Sequence, residues 1–228
     1  PVMMAGHSLG EYSALTCANA IAFADAVTLV KKRGEYMQTA VPLGIGAMAA
    51  IVGLEDGKVI QACEQAKQGQ EVAAVNFNSP GQVVIAGHID AVNRAGELCK
   101  EAGAKRALPL PVSAPFHSVL MQPAADQFAL DLANISINTP RIPVIQNFSL
   151  ESAVDPDTIK ANLVAQIFNP VPWVDTINKF SEAGINTVLE IGPGKVLSGL
   201  NKRINSNMSA ASVNSPDSLE AGLELLTN

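Results

Sequence analysis

A serine flanked by two glycines lies near the start of the sequence, in the segment Gly6-His7-Ser8-Leu9-Gly10. This order matches the G-x-S-x-G pattern, in which a serine nucleophile occupies a sharp turn between a strand and a helix. The turn would hold the serine oxygen at the end of a sheet, where the backbone N–H of Leu9 points at a developing oxyanion. The alternative is a structural glycine turn with a capping serine.

A serine hydroxyl is a weak nucleophile unless a base accepts its proton, and the sequence contains three histidines, His7, His88 and His117. His7 adjoins Ser8, but neighbouring side chains in a sharp turn usually diverge. His88 follows a predicted hairpin and is interpreted as a surface residue. His117 lies in a loop of prolines and small residues, 113–118, which suits a fixed close approach. We therefore predict that His117 is the base, the alternative being a hydrogen-bonded loop histidine.

An arginine interrupts the apolar face of the helix that the pattern predicts over residues 23–40. Apolar residues recur along that helix at Ala26, Val30, Met37 and Val41. Arg33 lies in the middle of this stripe, where an unpaired charge would be costly, so it needs an anion. A guanidinium fork matches a carboxylate with two hydrogen bonds. The pattern alone leaves two partners open, an internal Asp or Glu and a substrate carboxylate.

The elements that must position these residues alternate between strands and helices. Residues 2–5 form an apolar run typical of a buried strand, and the helix after Ser8 carries Glu11 in its first turn, where the positive helix end favours a carboxylate. Residues 47–112 read as strand, helix, strand, strand, helix, strand, with a type II turn at Pro80-Gly81. This βαββαβ order is the ferredoxin-like signature, so residues 47–112 are predicted to be an inserted small subdomain.

The remaining chain returns to an α/β pattern and completes the core. The predicted elements are helices at 124–133, 157–166, 172–184, 196–204 and 218–226 and strands at 142–147 and 187–191. The Gly192-Pro193-Gly194 turn lacks the G-x-x-x-x-G-K-[ST] pattern and is interpreted as structural rather than phosphate-binding. The predicted core therefore comprises residues 1–46 and 113–228.

Composition excludes several classes of protein. With 48% hydrophobic and 16% charged residues, the 228-residue chain is not disordered, and its formal net charge of −6 argues against a nucleic-acid binder. The three cysteines form no CxxC or Cys/His cluster, so neither a disulfide framework nor a metal site is predicted and a reducing cytoplasm is favoured. The longest uncharged stretch considered, 36–54, contains a proline and three glycines, so no membrane span is predicted.

Five segments, in the same order, are similar to one family, the malonyl-CoA:acyl carrier protein transacylases. They are 6–12 (GHSLGEY), 76–82 (NFNSPGQ), the loop 113–118 (SAPFHS), 168–171 (FNPV) and 190–197 (EIGPGKVL). The similarity extends over essentially all 228 residues. It implies a Ser–His dyad and an α/β fold in which an α/β-hydrolase-like large subdomain carries the ferredoxin-like insert.

The resemblance also implies the residues that contact substrate. The family places its substrate-carboxylate arginine on the helix that contains Arg33, and Gln166 matches a pocket glutamine just before the Asn-Pro motif. Phe116 resembles the bulky residue of malonyl-selective acyltransferase domains in polyketide synthases, where it would exclude a methyl branch. The family orients its histidine through main-chain carbonyls, so no acidic third member is assigned. No metal or redox cofactor is implied.

These residues together predict transfer of a malonyl group from malonyl-CoA to the phosphopantetheine thiol of acyl carrier protein, in fatty acid biosynthesis. The reaction would be ping-pong, with an O-malonyl intermediate on Ser8 and His117 as the base in both halves. Malonyl-CoA and acyl carrier protein are the expected partners, in the cytoplasm, with neither nucleic acid nor a membrane involved.

The beginning of the sequence departs from the family pattern. No strand precedes the first predicted one, and the upstream glycine-rich loop whose glutamine completes the family's oxyanion hole has no counterpart. We therefore expect an N-terminally truncated chain, with the missing segment supplied by another chain or domain. Because Leu9 is then the only oxyanion donor, and loss of one donor costs ~10²–10³ in rate, the chain alone is expected to be inactive or weakly active.

Two other functions remain open. A serine esterase or thioesterase of the α/β-hydrolase type also uses G-x-S-x-G, but its order is Ser…Asp/Glu…His with a late histidine. Here His117 lies near the middle of the 228 residues, and Arg33 would have no role. The second is an inactive acyltransferase fragment that acts only as a docking module for a carrier protein, which failure of Ser8 to acylate would favour.

Overall fold

The computed structural model describes residues 1–112 and 114–227. Ser113, the first residue of the predicted loop, and Asn228 lie outside the described residues. In chain order the elements are β1 (Met4–Ala5), α1 (Leu9–Cys17), α2 (Phe23–Thr39), β2 (Gly46–Val52), α3 (Asp56–Ala66), β3 (Val72–Ser79), β4 (Gln82–His88), α4 (Ile89–Glu101), β5 (Arg106–Pro109), a 3₁₀ turn (Val119–Met121), α5 (Gln122–Ala133), β6 (Val144–Ile145), α6 (Pro156–Phe168), α7 (Trp173–Glu182), β7 (Thr187–Ile191), α8 (Val196–Ile204), β8 (Ser209–Val213) and α9 (Pro216–Thr227).

Strands β2 to β5 form an antiparallel sheet in the order β3-β4-β2-β5. Helices α3 and α4 cover one face, and an apolar cluster that includes Ile51, Val59 and Val92 fills the space between them. Strands β3 and β4 are joined through Pro80-Gly81, and Gly81 has φ +69°. A proline followed by a residue with positive φ is the type II turn that the sequence predicted.

The other face of this sheet meets the segment that carries His117. Met48, Val84 and neighbouring residues pack there against Phe116. A Cβ atom on Gly46, at the start of β2, would lie 2.3 Å from Cδ of Pro115. Only glycine allows that approach, so the sheet and the loop before His117 are held in direct contact.

The helical part of the molecule surrounds a second apolar cluster, built from α1, α2, α5 and α6. The rings of Tyr12 and Phe128 meet there edge to face, with centroids 6.0 Å apart. Helix α2 buries Ala26, Leu29, Arg33 and Met37 at a spacing of three to four residues. The helical period that buries the apolar side chains therefore also carries Arg33 inward.

Two short parallel pairs complete the strands. β1 pairs with β6, and β7 pairs with β8. The sequence analysis missed β8, because the segment Ser209–Val213 contains small residues with little strand propensity and becomes a strand by pairing with β7. Nowhere in the described ranges is a helix long and apolar enough to cross a membrane.

Candidate active site

Ser8 occupies a sharp turn between β1 and α1, as the glycine–serine pattern predicted. Its backbone has φ 53° and ψ −104°, a strained conformation for a residue with a side chain. A Cβ atom on Gly6 would lie 1.9 Å from the carbonyl carbon of Gly10, so the turn closes only with glycine at position 6. Leu9 is the first residue of α1, and its N–H is one of the four helix N-terminal amides without an intrahelical acceptor.

The hydroxyl of Ser8 and the imidazole of His117 are in direct contact. Ser8 Oγ lies 2.8 Å from His117 Nε2, and His117 Nδ1 lies 2.9 Å from the backbone carbonyl oxygen of Gln166. Because a carbonyl oxygen only accepts, Nδ1 carries the proton and Nε2 is left free to accept the serine proton. His117 has φ 64° and is almost fully buried, so the loop fixes the ring in this orientation.

The surroundings of His117 keep its ring neutral. Burial lowers the pKa of His117 to about 3, and the positive charge of Arg33 acts in the same direction. The hydrogen bond to the Gln166 carbonyl opposes this shift but does not overcome it. At neutral pH the imidazole is therefore unprotonated, the form that a general base requires.

Arg33 reaches the same point from α2. One of its terminal nitrogens, Nη2, donates to Ser8 Oγ at 2.8 Å and to Gln166 Oε1 at 2.9 Å. The guanidinium carbon lies 5.5 Å from the centroid of the Tyr12 ring, and Nε has no hydrogen-bond partner. Although only 5% of Arg33 is exposed, none of the ion pairs within residues 1–112 and 114–227 includes it. The sequence left two possible anionic partners for Arg33, an internal Asp or Glu and a substrate carboxylate. Within the described residues, no internal Asp or Glu forms an ion pair with Arg33.

Gln166, on α6, contacts Ser8, His117 and Arg33. Its backbone oxygen faces His117 Nδ1, its side-chain oxygen accepts from Arg33, and its side-chain nitrogen donates to the Ser8 carbonyl at 3.1 Å. The same nitrogen donates to Oε2 of Glu11 at 2.7 Å. Gln166 is fully buried, so these four contacts are made without competition from water.

A cavity of about 250 Å³ opens onto the nucleophile. It is lined by His7, Ser8, Arg33, Gly34, Met37, Met48, Asn76, Phe116 and His117. Half-buried Phe116 forms part of its wall, so all the predicted site residues except Leu9 and Gln166 line this cavity. A larger groove, of about 530 Å³, lies between α4 and the sheet and contains none of them.

The other two histidines do not contact the serine. The ring of His7 tilts onto Trp173, with centroids 5.6 Å apart, and its Nε2 lies 2.9 Å from Asn78 Oδ1. It diverges from Ser8 as predicted, yet it lines the same cavity. His88 accepts a hydrogen bond from the Glu71 N–H at 2.9 Å and is half-buried, so it is less exposed than a fully solvated surface residue.

Two residues that sequence reasoning did not assign to the site also hold the serine turn. Asn147 Oδ1 accepts from the Ser8 N–H, and Asn147 Nδ2 donates to the Gly6 carbonyl, both at 2.8 Å. Glu11 is fully buried, and its Oε2 accepts from the Asn147 N–H at 2.9 Å. Asn147 follows β6 and Ser8 follows β1. Because these two strands are parallel neighbours, the residues that follow them lie close together. Predicting that β1 pairs with β6 would therefore have identified Asn147 as a neighbour of Ser8.

No cluster of three or more His, Cys, Asp or Glu side chains suitable for a metal ion occurs in the described part of the chain. The polar groups around Ser8 are an imidazole, a guanidinium and two carboxamides, with one carboxylate behind them. Such a set can activate a hydroxyl and bind an anion beside it.

A family model described as acyl transferase domain matches residues 1–216. The malonyl CoA-acyl carrier protein transacylase of Escherichia coli strain K12 is 56% identical over 225 residues, which are 99% of this chain and 73% of that protein. The protein of the same name from Bacillus subtilis strain 168 is 46% identical over 227 residues, which are 99% of this chain and 72% of that protein.

Solved structures give the same likeness in three dimensions. An acyl carrier protein S-malonyltransferase from Vibrio cholerae superposes with a TM-score of 0.96 at 56% identity, covering 97% of this chain and 72% of that one. A malonyl-transacylase in complex with a type II PKS acyl-carrier protein superposes with a TM-score of 0.97 at 53% identity, covering 98% of this chain and 72% of that one.

Proposed function

This chain belongs to the acyl transferase domain family, and on that premise we propose that it transfers a malonyl group from malonyl-CoA to the phosphopantetheine thiol of acyl carrier protein, in fatty acid biosynthesis. The names of its relatives support the donor and the acceptor, and one related structure is a complex with an acyl-carrier protein. The proposed chemistry depends above all on the 2.8 Å contact between Ser8 Oγ and His117 Nε2.

The first half of the reaction loads the serine. His117 Nε2 accepts the Ser8 proton as Ser8 Oγ attacks the thioester carbonyl of malonyl-CoA. The oxyanion that forms receives a hydrogen bond from the Leu9 N–H at the start of α1. When the carbon–sulfur bond breaks, the thiolate of coenzyme A takes the proton from His117, leaving a malonyl ester on Ser8.

The second half of the reaction removes the malonyl group from Ser8. The phosphopantetheine thiol of the carrier protein gives its proton to His117 and attacks the ester carbonyl. Collapse of the tetrahedral intermediate breaks the bond to Ser8 Oγ, which regains its proton from His117. Because the proton goes to and from the imidazole in both halves, we assign no other acid or base and no cofactor.

Arg33 is assigned to the substrate carboxylate. Its guanidinium is buried, positively charged and without an ion-pair partner in the described ranges, and it lines the cavity next to Ser8. A carboxylate that enters the cavity would supply the missing negative charge. Gln166 holds the guanidinium in place, because its Oε1 accepts a 2.9 Å hydrogen bond from Arg33 Nη2. This pair would distinguish a malonyl group from an acetyl group.

Phe116 is assigned to a steric role. Its half-buried ring lies in the cavity wall directly before His117 in the chain. A branch on the carbon between the two carbonyl groups of the substrate would approach this ring. We infer that Phe116 restricts the donor to unbranched malonyl thioesters.

The same proposal extends to the architecture and the cellular location. We interpret residues 47–112 as a ferredoxin-like subdomain, supported by the strand order β3-β4-β2-β5 with α3 and α4 on one face. Residues 1–46 and 113–228 are interpreted as an α/β-hydrolase-like core. The three free cysteines fit a reducing cytoplasm.

The function is tested by incubating the chain with radiolabelled malonyl-CoA and phosphopantetheinylated acyl carrier protein, and following the label into the carrier. We expect weak transfer that depends on Ser8 and disappears in Ser8→Ala. Release of free malonate faster than transfer would favour the esterase or thioesterase. Carrier binding without any transfer would favour the docking module.

A further inference from the structure

The reaction proposed above gives no role to Glu11, a fully buried ionisable residue close to the nucleophile. Glu11 lies one helical turn after the nucleophile, is 0% exposed and forms no ion pair within 1–112 and 114–227. A buried carboxylate is costly unless hydrogen-bond donors surround it. Three donors do so, the Gln166 side-chain nitrogen at 2.7 Å, the Asn147 backbone N–H at 2.9 Å and the Gln146 side-chain nitrogen at 3.3 Å.

Two of the residues that supply these donors also hold the groups around the nucleophile. Asn147 binds the Ser8 N–H and the Gly6 carbonyl, which fixes the backbone of the turn. Gln166 binds Arg33 through its side chain and His117 through its backbone carbonyl, which fixes the guanidinium and the imidazole. Glu11 Oε2 accepts from both, so a single carboxylate oxygen joins the two supports.

The carboxylate also determines which way the carboxamides point. An ionised carboxylate only accepts, so Gln166 must turn its nitrogen toward Glu11 and is left with its oxygen for Arg33. On the other side, Gln146 turns its nitrogen toward Glu11 Oε1 and uses its oxygen to accept from Asn162 Nδ2 at 2.8 Å. Glu11 thus favours the same orientation of Gln166 that Arg33 and the Ser8 carbonyl require.

We propose that Glu11 is a positioning residue, whose carboxylate locks Asn147 and Gln166 so that Ser8, His117 and Arg33 are held in reactive alignment. The inference deepens the proposed function and rests on it for the role of Arg33. The part of the inference that concerns the alignment of Ser8 with His117 does not depend on malonyl-CoA being the donor. Glu11 itself does not touch the reacting atoms.

The test measures the reactivity of Ser8 with a probe that needs no malonyl group. A fluorophosphonate forms a bond from Ser8 Oγ to phosphorus and expels fluoride, with the serine proton passing to His117. Glu11→Met keeps the side-chain length but removes both acceptor oxygens. We expect it to slow Ser8 labelling about tenfold or more at pH 8, because the amides that hold the turn lose a common charged acceptor. Its rate of malonylation by malonyl-CoA should fall further, since Arg33 is released as well.

A double substitution, Glu11→Gln with Gln146→Glu, should restore the rate. The oxygen of the new glutamine accepts from Gln166 and from the Asn147 N–H, and its nitrogen donates to the new carboxylate. That carboxylate still accepts from Asn162. Every donor keeps an acceptor, so we expect Ser8 labelling within about threefold of the wild-type rate.

Glu190→Met is the matched control. The Glu190 carboxylate also accepts three hydrogen bonds, from the Leu197 N–H and from the N–H and hydroxyl of Ser198, but it caps α8 outside the cavity. This variant should lose thermal stability while Ser8 labelling stays at the wild-type rate. A matching loss of labelling in Glu190→Met would show that the assay reports stability alone and would overturn the assignment.

Two further results would also overturn it. One is wild-type labelling of Ser8 in Glu11→Met. The other is a double variant that folds without recovering the labelling rate, which decides the question even if Glu11→Met does not fold. Failure of the proposed function gives a different result from failure of the positioning proposal. If the wild-type chain is labelled by the fluorophosphonate but not by malonyl-CoA, the proposed function fails and the positioning result still holds.

Discussion

Nη2 of Arg33 lies 2.8 Å from the hydroxyl oxygen of Ser8, so the buried cation touches the nucleophile itself. The Ser8 hydroxyl accepts this bond and donates its own proton to His117 Nε2, 2.8 Å away. In a malonyl thioester the carboxylate is separated from the reacting carbonyl by a single methylene group. An anion bound at Arg33 would therefore place its thioester carbon next to Ser8, which is the advantage of proximity.

Arg33→Ala should lower the kcat/KM for malonyl-CoA about a hundredfold, because charge-assisted hydrogen bonds to the substrate carboxylate are lost. Acetyl-CoA has no carboxylate, so its transfer should fall less and its rate relative to malonyl transfer should rise. Steady-state kinetics with both donors measure this ratio. Lys32→Ala is the control, since Lys32 is the adjacent cation and pairs with Asp131 instead. An unchanged ratio in Arg33→Ala would remove the assignment.

Phe116→Ser should open the cavity wall toward branched donors. We expect the kcat/KM for methylmalonyl-CoA, relative to malonyl-CoA, to rise about tenfold, since a pocket discriminates one methyl group by that order. Competition between the two donors, read as the acyl group found on Ser8, measures the change. Phe148→Ser, at an exposed phenylalanine outside the cavity, should leave the preference as it is. If the two variants behave alike, Phe116 has no steric role.

Gly6→Ala should destabilise the protein by about 3 kcal/mol or more, because a Cβ atom there would lie 1.9 Å from the carbonyl carbon of Gly10. Gly10→Ala is its counterpart on the same turn. A Cβ atom at Gly10 meets nothing within 4 Å, and alanine favours a helix, so stability should stay constant or rise by up to about 1 kcal/mol. Urea unfolding of both variants checks the contrast, which equal stabilities would refute.

Acidification should slow the acylation of Ser8 through Glu11. Burial raises the pKa of Glu11 to about 7, while its hydrogen-bond donors and the charge of Arg33 on α2 oppose the shift. Below that pH the Glu11 carboxyl gains a proton, and the groups around it are hydrogen-bond donors that cannot accept this proton. The pKa of His117 is about 3, so the imidazole stays neutral in this range and does not cause the loss. The rate ratio of wild type to Glu11→Met should therefore shrink between pH 8 and pH 6, and a constant ratio would contradict it.

Stability should move in the opposite direction, which separates this effect from acid unfolding. Because the folded pKa of Glu11, about 7, lies above its ordinary value of 4.5, the folded state retains a proton that the unfolded state has lost between these pH values. The stabilisation is complete below pH 4.5 and is lost as pH rises through about 7. The unfolding free energy of wild type, measured against Glu11→Met, should therefore increase on acidification from pH 8 to pH 6.

Local patterns in the sequence were sufficient for most elements and for part of the site. The G-x-S-x-G segment predicts the strained turn at Ser8 because its cause, the close approach of Gly6 and Gly10, lies within five residues. The helical period predicts that Arg33 is buried, because burial of α2 follows its apolar stripe. The strand β8 could not be predicted in the same way, since its pairing with β7 decides its structure.

The contacts that orient the site join distant parts of the chain, and periodicity does not encode them. His117 was chosen from the composition of its loop, but its 2.8 Å contact with Ser8 spans 109 residues. Asn147 reaches the Ser8 N–H across 139 residues, through the parallel pairing of β1 and β6. Glu11 was read only as a helix-start acid, although tertiary packing places it between Asn147 and Gln166. Local rules describe the position of such a residue and miss its partners.

The most direct test of the Ser8–His117 account is intact-mass spectrometry of the chain after mixing with malonyl-CoA, followed by peptide mapping. We expect a mass increase of one malonyl group located on Ser8, absent from Ser8→Ala and formed far more slowly in His117→Ala. An unmodified Ser8 at saturating malonyl-CoA, or an adduct that persists in Ser8→Ala, would contradict it.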